Sequence, residues 1–214
     1  RHFLKSASAS GAGLLLLPTG TLFGQNRPSN KLNVALIGVW GRGLAHYNTL
    51  RKENVVALCD VNELRFPDAL KAFPGARTYT DWRQLFDKES KDIDAVVCCT
   101  PDHHHAHIAI WAMNRDKHVY MEKPISHNIW EGRQFVAAAN KSRRVVQAGT
   151  QIRSSEGLIE AVAYVRSGQL GKVTAARGFC YKRRPSLGQV TGPQAVPANI
   201  NYDLWSGPAP LIAP

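Results

Sequence analysis

From Lys31 onward the chain alternates two kinds of segment. Short β-branched and apolar runs, "LNVALIG", "VVALCD", "ARTYT", "DAVVCCT", "HVYMEK" and "RVVQAG", read as strands. Between them, "RGLAHYNTLRK", "NELRFPDALKAF", "DWRQLFDK", "HHAHIAIWAMNRD" and "SHNIWEGRQFVAAANK" repeat their apolar residues at helical spacing, with Asp81 and Ser126 placed as N-caps. Near-continuous apolar strands alternating with helices predict a parallel sheet covered on both faces, a doubly wound α/β Rossmann domain over residues 31–150. After Gly149 the pattern changes. "SSEGLIEAVAYVRSGQLG" reads as a helix closed by glycine, and "KVTAARGFCYKRR" as a longer alternating strand of an open antiparallel sheet. Residues 151–214 are therefore expected to begin an α+β second domain.

Composition narrows the class. The chain has 214 residues, 44% of them hydrophobic, which fits a globular protein rather than a disordered one. Its net charge of +11 would suit a polyanionic partner if the charge were concentrated. Arg1, Lys5, Arg27 and Lys31 supply four of those charges before any acidic residue appears, and the densest later runs, "KSRR" and "KRR", lack interleaved aromatics. Nucleic acid is excluded as a partner on that distribution.

The first residues, "RHFLKSASASGAGLLLLPTG", place basic residues before an apolar run too short and interrupted to span a bilayer. An export signal is expected over residues 1–26. Arg1, Phe3, Leu4 and Lys5 match the latter part of a twin-arginine motif, which implies the twin-arginine export machinery as a partner and a periplasmic or otherwise exported location; a Sec signal is the alternative. The chain starts with Arg and stops in "LWSGPAPLIAP", so a piece of a longer protein is expected at both ends. Export would permit disulfides, yet Cys59, Cys98, Cys99 and Cys180 lie in strand-like runs with no C-x-x-C pair. Adjacent strand cysteines point to opposite faces, and all four are read as small buried hydrophobes.

The stretch "NVALIGVWGRGLAHY" has the layout of a strand, a glycine turn and a helix. In a dinucleotide fingerprint the first glycine makes the turn, the second admits the pyrophosphate and the third lets helix and strand approach. Gly38 and Gly43 fill the outer positions, while Trp40 fills the middle one, where its Cβ should push a phosphate outward. Gly41 restores flexibility, the helix N-terminus keeps its free N–H groups, and Arg42 adds a cation. Cofactor binding is expected to persist with the pyrophosphate displaced or the indole turned away. Asp60 ends the second strand where a carboxylate accepts from the adenosine ribose and repels a 2′-phosphate, favouring NAD over NADP.

Thr100 and Pro101 end the fourth strand, and Glu122, Lys123 and Pro124 the fifth, at the edge where open parallel sheets bind ligands. "GVWGRG", "CD", "CTPDHHHAHIA" and "EKP", with "VVQAGTQIRSS" and "DLWSGPAP" further on, together resemble the Gfo/Idh/MocA oxidoreductase family from about Lys31 to the chain end. The resemblance implies that Thr100, Pro101 and His105 border a nicotinamide. It also implies that Glu122 and Lys123 form an E-K-P motif whose lysine contacts substrate and cofactor, and that a catalytic Asp and His lie past the last residue here. The implied activity is NAD(P)-dependent hydride transfer to or from a sugar or polyol, in a homo-oligomer joined through the second-domain sheet. NAD-dependent glycoside hydrolysis and non-catalytic sugar or cofactor binding are the alternatives. Chemistry singles out Lys123 independently, since a cationic amine beside a carbinol oxygen stabilises the developing alkoxide. His103 and His107 could share a helix face as metal ligands, but no nearby Glu or Cys completes a set, and no metal is expected.

Overall fold

In the computed structural model, residues 30–186 and 188–214 are described; the expected export signal lies outside them. Six strands form one sheet: β1 (Asn33–Ile37), β2 (Asn54–Cys59), β3 (Arg77–Tyr79), β4 (Ala95–Cys98), β5 (His118–Glu122) and β6 (Val146–Gly149). Their order is β3-β2-β1-β4-β5-β6 and every pairing is parallel, which makes this a Rossmann α/β fold. Register carries Ile37 beside both Cys59 and Cys98, and Cys98 beside Met121, so the functional strand ends finish at one level.

Alternation along β1 explains the two-sided core. Ala35 and Ile37 point to one face, where they meet Leu85 and Phe86 of α3 (Trp82–Glu89), Ile108 and Met113 of α4 (His105–Met113), and Phe135 of α5 (Ile129–Ser142). Val34 and Leu36 point to the other, against Tyr47 and Leu50 of α1 (Tyr47–Leu50) and Ala69 of α2 (Phe66–Ala72). Cys98 and Cys99 divide between the two faces as their adjacency requires. Helix α4 is buried nearly all round, and its sequence is correspondingly apolar beyond its histidines.

Local chemistry shifts several boundaries. The helix expected after the glycine turn begins as a 3₁₀ segment, Gly41–His46, before the four residues of α1, because glycines at 41 and 43 cost roughly 1 kcal/mol each in an α-helix. Asp81 caps α3 as expected, accepting from Arg83 N. Ser126 does not cap α5. Asn128 does, because its Oδ1 takes the Glu131 amide at 2.9 Å while Glu131 Oε2 takes the His127 amide at 3.0 Å, satisfying two free N–H groups at once.

Beyond β6, Ser155 caps α6 (Glu156–Arg166). The apolar side chains Leu158, Ile159, Val162 and Val165 on α6 are exposed. "KVTAARGFCYKRR" forms no strand, since among the described residues nothing hydrogen-bonds to it as a ladder partner, and a strand exists only through its ladder. Cys180 within it is exposed, unlike the buried Cys59, Cys98 and Cys99. The chain then returns to the sheet: Ile200 bridges Asn62, and α7 (Tyr202–Ser206) follows. No helix among the described residues is long and apolar enough to cross a membrane.

Candidate functional site

The strand order reverses between β1 and β4, and the crevice where ligands enter such sheets opens there. The turn leaving β1 presses into it. Gly38 has φ +85°, and a Cβ on it would lie 2.7 Å from the Cys99 carbonyl carbon. A Cβ on Gly43 would overlap the Gly38 carbonyl oxygen, so these two glycines are required by contact. Trp40 needs no glycine geometry, because its φ of −113° is ordinary extended backbone and Gly41 carries the positive φ of +58° instead. The indole is 41% exposed, with the Arg65 guanidinium 4.3 Å from its ring centroid.

Asp60 anchors this turn. Its Oδ2 accepts from Val39 N and its Oδ1 from Asn62 N, both at 3.0 Å. Burial pushes its carboxyl above the ordinary range, although the backbone amides and Arg65 pull the other way. With a weaker bond from the Trp40 amide, these occupy three of about four acceptor sites on the carboxylate, which leaves about one toward a ligand. Tyr47 locks the same turn from below, donating its hydroxyl to the Val39 carbonyl at 2.8 Å, and burial raises that phenol to about 12.

A cavity of about 180 Å³ lies above the turn. Of the residues expected at a cofactor, Gly38, Trp40, Gly41, Asp60, Thr100 and Pro101 line it. Arg42, Gly43, His105, Glu122 and Lys123 do not. Thr80, Asp81 and Trp82 join it from the turn between β3 and α3, and Leu204 and Trp205 from α7; the sequence marked Asp81 only as an N-cap and placed none of the five at a ligand. The signal available for the last two was the string "DLWSGPAP", which carried the family resemblance without a role.

A second group of residues builds the corner after β5. Glu122 is 3% exposed, and its Oε1 accepts from Arg42 Nε at 2.8 Å, His46 Nε2 at 2.8 Å and Gln151 Nε2 at 2.5 Å. Burial pushes this carboxyl up, but Arg42, His46 and the Lys123 amide together hold it below the ordinary carboxylate range. Arg42 is therefore paired across the crevice with Glu122 rather than standing free beside the turn. His105 is fully buried, with Nδ1 2.5 Å from the Pro124 carbonyl oxygen and Nε2 2.7 Å from that of Thr100. Glu122 and His105 thus fix the Lys123–Pro124 corner from within, and Lys123 itself is exposed. His103 and His104 both direct Nε2 at the Trp205 carbonyl, at 2.7 and 2.9 Å; a carbonyl only accepts, so both rings carry their proton on Nε2.

A model of the Gfo/Idh/MocA oxidoreductase family, with its NAD-binding Rossmann fold, matches residues 32–150. Inositol 2-dehydrogenase of Salmonella paratyphi B is 26% identical over 179 residues, 81% of this chain and 52% of that protein. Glycosyl hydrolase family 109 protein 2 of Phocaeicola vulgatus is 28% identical over 158 residues, 69% of this chain and 38% of that protein. The crystal structure of myo-inositol 2-dehydrogenase from Lactobacillus plantarum is similar with a TM-score of 0.62 at 26% identity, over 67% of this chain and 43% of that one. The chain spans about half or less of the length of these relatives.

Proposed function

Since the chain belongs to the Gfo/Idh/MocA oxidoreductase family, we propose that the full protein is an NAD-dependent oxidoreductase acting on a CH–OH group of a sugar or polyol. The glycine turn fits a dinucleotide: Gly38 and Gly43 sit where a side chain would strike backbone, and a helical segment, Gly41–His46, begins directly after the turn that leaves β1. A bound nicotinamide supplies the hydride acceptor or donor. Asp60 would hold the adenosine ribose, and its charge disfavours the 2′-phosphate of NADP.

Lys123 carries the proposal. It stands exposed at the carboxyl end of β5, on a corner fixed by Glu122 and His105, where its ammonium would donate to a substrate hydroxyl and stabilise the oxygen as negative charge develops. In the full-length protein, Lys123→Met is expected to lower turnover by roughly 10²- to 10⁴-fold while NAD binding is retained. Unchanged turnover would remove the lysine from the mechanism. Export in folded form with its cofactor already bound, and self-association through the second domain, complete the reading; fractionation of producing cells and light scattering test them.

The similarity to glycosyl hydrolase family 109 members supports a second reading, NAD-dependent glycoside hydrolysis. Release of sugar from a nitrophenyl glycoside without accumulation of NADH would select it. Absence of any thermal shift on adding NAD or NADP would instead favour a non-catalytic binder.

A further inference from the structure

The segment from Asn199 to Ser206 is tied to the Rossmann domain at two places, one on each side of the crevice. At the β2 side, Asn199 Nδ2 donates to Asn62 Oδ1 at 2.9 Å and Ile200 bridges Asn62, whose own amide is held by Asp60. At the β4 side, His103 and His104 both donate to the Trp205 carbonyl, and Gly207 lies so close over the His104 ring that any side chain there would collide with it. Between the two ties, Leu204 and Trp205 form a wall of the 180 Å³ cavity that also holds Trp40, Asp60 and Trp82.

The cavity takes one ring system rather than a whole cofactor, since sites for complete small ligands run to roughly 300–1,000 Å³. Its place in the sheet says which ring. Its walls include the ends of β2 and β3, at Asp60 and at Thr80 to Trp82, whereas Lys123 follows β5 on the opposite side of the crevice. We propose that Leu204 and Trp205 are cofactor-binding residues that close the adenosine end of the cleft, the purine occupying the slot between them and the sheet rim. This rests on the dinucleotide reading above and adds to it a wall supplied by the segment after the Rossmann domain. Docking of that segment and retention of the cofactor are then one equilibrium: each stabilises the other.

The test is calorimetric binding of NAD, ADP-ribose and nicotinamide mononucleotide to the full-length protein and to Trp205→Ala. Loss of one base–aromatic contact predicts roughly ten- to hundred-fold weaker NAD and ADP-ribose, with nicotinamide mononucleotide unchanged. Unchanged ADP-ribose affinity, or an equal loss for all three ligands, overturns the inference while leaving the dinucleotide reading standing. If the wild-type protein binds neither NAD nor ADP-ribose, the dinucleotide reading itself fails. Leu204→Ser provides the same split, in the same direction and smaller, should Trp205→Ala not fold.

Discussion

Gly43 and Gly41 lie two residues apart and are required for different reasons. At Gly43 an added methyl would meet the Gly38 carbonyl, backbone against backbone, so neither group can yield; overpacking of this kind costs about 1–3 kcal/mol. At Gly41 there is open space and only the positive φ opposes a side chain, a cost nearer ~1 kcal/mol. Gly43→Ala is therefore expected to lower the Tm more than Gly41→Ala and to abolish the thermal gain from NAD, measured by scanning calorimetry with and without cofactor. Glu122 shows why the identity of a residue does not reveal its work. Its carboxylate belongs to a motif implied to touch the cofactor, yet three side-chain donors from the glycine-turn segment and the loop after β6 occupy it.

At the scale of elements, α5 begins where a reciprocal cap forms, not where the first capping residue appears. Asn128→Ala should cost about 1 kcal/mol by freeing the Glu131 amide, whereas Ser126→Ala should cost much less; urea unfolding midpoints of the two variants decide it. The four inner strands, β1, β2, β4 and β5, were legible because burial from both faces requires them to be largely apolar, whereas the edge strands β3 and β6 are mostly outside the core and were read from their place in the alternation. Residues 172–184 have a comparable alternating pattern and form no strand, because pattern supplies a face and cannot supply a neighbour. Helix α7 carried no strong signal, being five residues long, and it was fixed instead by two histidines after β4 and an asparagine after β2.

Over the whole molecule, buried carboxylates govern the response to acid. Glu89 is 4% exposed and receives both the Arg77 guanidinium and the Tyr79 hydroxyl; Arg77's hydrogen bond is the main reason its carboxyl lies below the ordinary 4.5. Glu122 is depressed as well, against its own burial. A depressed carboxyl stabilises the fold fully above its unfolded value and loses that contribution as pH falls through the folded one. Asp60 acts in reverse: with its carboxyl raised above the ordinary 3.8, acidification through the folded value relieves a cost instead of adding one. The Tm is expected to fall as pH drops below 4.5, and Glu89→Gln should start from a lower Tm at neutral pH and fall less steeply across that window. Parallel melting curves from pH 7 to pH 3 check both slopes; equal slopes would show that Glu89 titrates alike in the folded and unfolded chains.

Local periodicity and spacing were enough to determine the alternation of strands and helices, the placing of Gly38 and Gly43, and the candidacy of Asp60 and Lys123 at strand ends. Each depends on contacts between near neighbours, or on a rule that every parallel sheet obeys. Only the tertiary structure decided that Arg42 answers Glu122, that His105 props the Lys123–Pro124 corner from inside, and that Trp205 reaches the rim near Asp60. Those partners stand 80, 19 and about 145 residues apart, and no local pattern fixes which distant groups fill one another's hydrogen-bonding needs until the sheet brings them together.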